Sequence, residues 1–82
     1  MYQKSADQGI IPAQYEIGLI YAIGDGVPVD EAKAVEWWLK AAEQGYGKAQ
    51  RILSLAYENG EGVPVDLTKA REWHLKALEQ GY

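Results

Sequence analysis

Apolar residues recur along this chain at steps of three and four. From Pro12 to Ile23 the residues Ala13, Ile17, Ile20 and Tyr21 fall on one face of a helix. Pro12 suits the first turn of that helix, where its missing amide costs nothing. From Glu31 to Gln44 a second face is formed by Ala34, Trp37, Trp38, Ala41 and Ala42. The order then repeats, with Ala49, Leu53, Ala56 and Tyr57 on one helix and Ala70, Trp73, His74, Ala77 and Leu78 on the next. Glycine closes every stretch: Gly9, Gly24, Gly45, Gly60 and Gly81 stand where a helix wants a left-handed terminal residue. No segment alternates as a strand would, and the brief Val-Pro-Val runs carry proline.

The recurrence is a true repeat. Shifted by 36 residues, Ala13 to Tyr46 lies on Ala49 to Tyr82 without a gap, and 21 of the 34 pairs are identical. Lys4, Asp7, Gln8 and Gly9 align likewise with Lys40, Glu43, Gln44 and Gly45. A period of this size marks supersecondary units that bury their apolar faces only against neighbours. The expected fold is therefore all-α, a right-handed α/α solenoid of antiparallel helix pairs with a 36-residue period. Residues 1–9 read as the tail of a preceding repeat, 10–45 as repeat one and 46–82 as repeat two, the whole forming one domain.

The segments GDGVPVD (24–30) and GEGVPVD (60–66) raise the question of a ligand loop. A phosphate loop follows a strand and opens a helix, whereas these glycines follow a helix. A calcium loop needs acids at alternating positions and a closing glutamate, which Asp25 and Asp30 lack. A turn accounts for each residue. Gly24 ends a helix, Gly26 allows a second positive φ, and Pro28 holds Val27 extended. Val27 and Val29 can tuck against the helix pair, and Asp30 caps the next helix.

Composition narrows the functional classes. The chain has 82 residues, a net charge of −4 and no cysteine. An acidic surface repels phosphate backbones, so no nucleic-acid partner is expected. No apolar run spans a bilayer, so no membrane insertion is expected. Disulfides and thiolate metal sites are excluded. His74, the only histidine, takes the place of Trp38 and has no companions at motif spacing, so a structural role is expected. Glu36 and Glu72 each precede a lysine by four residues, which reads as a solvated helix pair and not an acid/base dyad. Trp37 and Trp73 read as core. No catalytic residue, metal site or cofactor is expected, and the chain does not read as an enzyme.

At these positions the chain resembles the Sel-like repeat (SLR) proteins. The pattern is carried by Ala13, Ile17-Gly18, Ile20-Tyr21, Gly24, Gly26-Val27, Asp30, Lys33-Ala34, Trp37, Lys40-Ala41-Ala42 and Gln44-Gly45. The second copy keeps most of it and departs at Ser54, Thr68 and Leu78. The resemblance implies a solenoid related to tetratricopeptide arrays, with the first helix of each pair lining a concave face. It also implies an adaptor or scaffold role, and it transfers no catalytic residue.

Recognition must come from positions that vary between repeats on a shared face. Opposite the expected core face, the first helix presents Tyr15, Leu19, Ala22 and Ile23. The second copy presents Lys48, Arg51, Leu55, Glu58 and Asn59. Leu19 and Leu55 either contact a partner or seal neighbouring first helices together. The expected function is a non-catalytic protein-protein interaction module that takes a peptide or protein segment on the concave face; the alternative is an architectural spacer. The last helix presents Trp73, Leu75 and Leu78 with no following helix, and the first ten residues supply only a stub with Gln3 and Ser5. Head-to-tail self-association through the end bearing Trp73 and Leu78 is therefore expected.

Overall fold

Residues 2–81 are described by the computed structural model, with side chains from residue 11 onward. They form four helices and no strand: α1 (Tyr2–Ile23), α2 (Glu31–Glu43), α3 (Gly47–Asn59) and α4 (Leu67–Glu79). Each helix packs on its neighbour in sequence, giving a row of antiparallel helices in which α2 is flanked by α1 and α3. The side chains of Gln3 and Ser5, and all of Met1 and Tyr82, lie outside the described residues.

The local rules of the sequence are visible at the helix ends. Asp30 caps α2 by accepting the Lys33 amide at 3.0 Å, and Asp66 caps α4 by accepting the Lys69 amide at 3.1 Å. Gly24 and Gly26 have φ of +76° and +82°, as the turn reading requires. The loop is tied back when the Asp30 amide donates to Tyr21 O at 2.9 Å, and Asp66 does the same to Tyr57 O. After α2, the Gly45 amide donates to Ala42 O and the Tyr46 amide to Ala41 O, the paired bonds of a Schellman motif. Val29 and Val65 do not tuck in as expected: each is 60% exposed, lying over Gly24 or Gly60.

One boundary differs from expectation. α1 continues without interruption through Gly9 and Pro12, so the break after Gly9 is absent. At Gly45 the turn is followed by Tyr46 and Gly47, and α3 docks back on α2. Gly9 is followed by Ile10 and Ile11, and no earlier helix stands among the described residues to reward a reversal. Continuing the helix then satisfies more backbone groups than a turn would.

Burial shows how far the repeats are equivalent. On α3 the expected face is buried throughout: Ala49, Leu53, Ala56 and Tyr57 all belong to the core. On α1 the matching residues are not. Ala13 is exposed, Ile17 and Tyr21 are half-buried and Ile20 is 37% exposed. The buried positions there are Ile11 and Gly18, with Tyr15, Leu19 and Ala22 packed against the core. The reason is geometric. α3 is covered by α2 on one side and α4 on the other, whereas α1 has only α2. The same holds at the other end: α2 buries Ala34, Val35, Trp38, Ala41 and Ala42, but α4 buries only Ala70 and Ala77. His74 and Leu78, expected on the core face, are exposed, and Trp73 is half-buried.

Polar groups are matched inside this thin core. The buried Gln50 donates Nε2 to Ala42 O at 3.1 Å and accepts from Gln80 Nε2 at 2.9 Å. Gln14 accepts from Gln44 Nε2 at 3.0 Å, the same link one repeat earlier. No buried side-chain nitrogen or oxygen among the described residues lacks a partner. The lysines expected to pair with carboxylates lie over indoles instead: Lys40 Nζ is 4.4 Å from the Trp37 ring centre and Lys76 Nζ is 5.0 Å from that of Trp73.

Candidate interaction site

The first helices of the two pairs, α1 and α3, present a surface with two shallow depressions. One is lined by Tyr15, Lys48, Arg51, Ile52 and Leu55. The other is lined by Leu19, Ala22, Ile52 and Leu55, closed at its edge by Trp38, Glu31 and Glu61. A third lies between α3 and α4 and joins Arg51, Leu55 and Glu58 to Ser54, Leu67, Ala70, Arg71 and His74. Leu55 borders all three and is 44% exposed.

Of the residues singled out from the sequence, seven therefore meet in connected depressions: Tyr15, Leu19, Ala22, Lys48, Arg51, Leu55 and Glu58. Ile23 and Asn59 lie outside them, although both are exposed. Tyr15, Leu19 and Ala22 also pack against the core, so α1 contributes a partly sealed wall. The Tyr15 ring meets Tyr46 edge-on at 5.5 Å, which fixes its orientation. Leu55 has no such commitment.

Charge is distributed unevenly along this surface. Lys48 and Arg51 line the depression that holds Tyr15, Glu31 and Glu61 line the one that holds Leu19, and Arg51, Glu58 and Arg71 share the third. Sequence reasoning missed Ile52, Arg71, His74 and Leu67. Ile52 sits where the first repeat has Glu16. The others replace Val35, Trp38 and Glu31, so comparing the repeats along their second helices would have found them.

Two exchanges between the repeats fall in the third depression. In the first repeat the Trp38 indole lies against Gly18 and donates Nε1–H to Tyr15 O at 3.1 Å. In the second repeat the glycine is Ser54 and the indole is His74. Ser54 and His74 both line that depression. No group of carboxylates and histidines suited to a metal ion exists among the described residues. No described helix is long and apolar enough to cross a membrane.

Paired helices repeated at a fixed period, with a groove along their first members, define an α-helical repeat protein. The chain belongs to the Sel1 repeat family, whose model matches residues 1–10, 11–46 and 47–82. Such repeats generally serve as protein-interaction modules and are generally non-enzymatic. The chain is similar in structure to a protective antigen of uropathogenic Escherichia coli that displays an SLR fold. The TM-score is 0.88 at 46% identity, covering 99% of this chain and 17% of the antigen. It is also similar to a Sel1 repeat protein from Oxalobacter formigenes, with a TM-score of 0.88 at 44% identity, covering 92% of this chain and 31% of the other. The chain thus spans less than a third of either neighbour's length. A comparison with curated proteins finds no match.

Proposed function

We propose that this chain is a non-catalytic interaction module that takes an extended peptide or protein segment along the α1–α3 surface. The carrying observation is Leu55. It is 44% exposed at the meeting point of three depressions, and burying it in a partner would remove apolar area from water. Lys48 and Arg51 in one depression, with Glu31 and Glu61 in the one beside it, favour a segment whose apolar side chain is flanked by an acid and a base in a fixed direction. In this reading Tyr15, Leu19 and Ala22 form the rigid wall of the groove, and Ile23 and Asn59 contribute at its margin.

The test is selection from a displayed random-peptide library against the folded chain. Peptides in which an apolar residue is flanked by an acid on one side and a base on the other should be enriched. Arg51→Glu combined with Leu55→Ala should remove that enrichment while circular dichroism stays unchanged. Enrichment that survives this double variant and disappears with Glu36→Lys, on the outer surface of α2, overturns the face assignment. Absence of any enrichment favours the spacer reading, in which the repeats only hold neighbouring segments apart.

A further inference from the structure

On the reading of the α1–α3 surface as a peptide site, we infer that it takes a segment in alternation: an acid, an apolar residue two positions along, and a base two positions further. Ile52 and Leu55 border both depressions between α1 and α3 and form an apolar saddle, and Leu19 of α1 lines one of them. Lys48 and Arg51 line the depression on one side of the saddle, and Glu31 and Glu61 line the depression on the other.

These four charges are not used by the fold. Lys33, Lys40, Lys69 and Lys76 each lie over an aromatic ring. Lys48 and Arg51 do not, and among the described residues neither has an ion-pair partner. Glu31 and Glu61 form no ion pair there either. The first repeat has Pro12 and Tyr15 where the second has Lys48 and Arg51, so the helix pair does not require cations at these positions. Arg51 also borders the depression that holds Glu58 and Arg71, so Lys48 is the cation that belongs to this surface alone. Charges left unmatched within the chain are matched by a partner that carries the opposite signs in the same order.

Spacing sets the pattern. Arg51 precedes Leu55 by four residues, a rise of about 6 Å on a helix. Beyond Leu55 the Glu61 amide donates to Ala56 O at 3.0 Å, which holds Glu61 about 7 Å further along the axis. Gly62 lies against the main chain of Glu31, so both carboxylates share that end. An extended chain advances about 3.3 Å per residue and turns every second side chain to the same face. Two residues therefore cover about 6.6 Å. Acid, apolar residue and base at the first, third and fifth positions then meet the cations, the saddle and the carboxylates in turn. A contiguous acid–apolar–base triplet points its charges away from the surface when its apolar side chain is buried.

Fluorescence anisotropy with labelled, end-blocked peptides tests this. Glu-Thr-Leu-Thr-Lys and Thr-Glu-Leu-Lys-Thr, in the same threonine flanks, have one composition and differ only in spacing. The first should bind roughly fivefold or more tighter, because the second forfeits two exposed ion pairs. Lys48→Glu with Arg51→Glu should weaken the first peptide by roughly tenfold or more and should favour Lys-Thr-Leu-Thr-Lys instead. Both substituted residues are exposed, and circular dichroism checks that the variant folds. Equal affinity for the alternating and contiguous peptides overturns the spacing while leaving the surface a peptide site. A double variant that keeps the wild-type preference overturns the role of the two cations. Failure of every peptide to bind at millimolar concentration overturns this inference and the peptide-site reading together.

Discussion

The indole of Trp38 lies where a side chain on Gly18 would have to be: a Cβ built on Gly18 falls 2.6 Å from Trp38 Cδ1. The glycine is therefore needed for volume, in the middle of a helix where its backbone freedom is a cost. Gly18→Ala should destabilise by about 1–3 kcal/mol through overpacking. Most of that range exceeds the roughly 1 kcal/mol that alanine gains over glycine in a helix. Urea unfolding measures the balance, and a stabilised variant would show that the indole can move aside freely.

The second repeat supplies the reciprocal experiment. Ser54 is buried, and His74 stands in place of the tryptophan. His74→Trp alone should bring little gain, because the Ser54 Cβ blocks the seat. His74→Trp with Ser54→Gly should close the open groove and raise the midpoint above that of either single variant. Additive effects would argue against the coupling.

Gly26 and Gly62 share a motif and a positive φ but have different neighbours. A Cβ at Gly26 meets nothing within 4 Å, whereas one at Gly62 falls 2.6 Å from the carbonyl carbon of Glu31. Both alanine variants carry the left-handed penalty of roughly 1–2 kcal/mol. Gly62→Ala should cost at least about 1 kcal/mol more, because it must displace backbone. Equal losses in thermal unfolding would mean that the α2–loop contact is loose.

Asp30→Ala and Asp66→Ala should each cost about 1 kcal/mol, with the asparagine variants retaining most of that stability. The loops are turns, so adding calcium or phosphate should leave the melting temperature unchanged. A rise with either ion would restore the ligand-loop reading.

Leu53 is fully buried on α3, the helix that packs against both α2 and α4. Leu53→Ala should cost about 2–5 kcal/mol. The matching Ile17→Ala on α1 should cost less, since Ile17 is only half-buried. The difference between the two, read from denaturation midpoints, measures what the second packing partner of α3 is worth.

Most of the architecture was legible because it is local and occurs twice. Asp30 and Asp66 cap, Gly24 and Gly60 terminate, and Ala49, Leu53, Ala56 and Tyr57 face inward, all from spacing alone. What spacing could not show was which faces would find a neighbour. Ala13 and Ala49 occupy the same phase, yet one is exposed and the other has no exposed surface. Burial belongs to the pair of helices, and periodicity reports only one of them. The break after Gly9 failed for the same reason. The groove was legible in part: variable positions found Arg51 and Leu55, but Arg71 and His74 needed the second helices to be compared as well. The residues that would bind a partner were separated from those that seal the fold only by packing, as Leu19 and Leu55 show.

The approach of Gly62 to the main chain of α2 has a consequence for longer arrays. Successive pairs touch here backbone to backbone, with no side chain between them, so this point acts as a fulcrum. Its closeness sets the angle at which one pair follows the next. An added methyl group would be a wedge of fixed thickness at the rim. A tilt too small to notice in two repeats would accumulate over many, changing the curvature of the whole superhelix. The span of a concave surface many residues long is in this way governed by a position that carries no side chain.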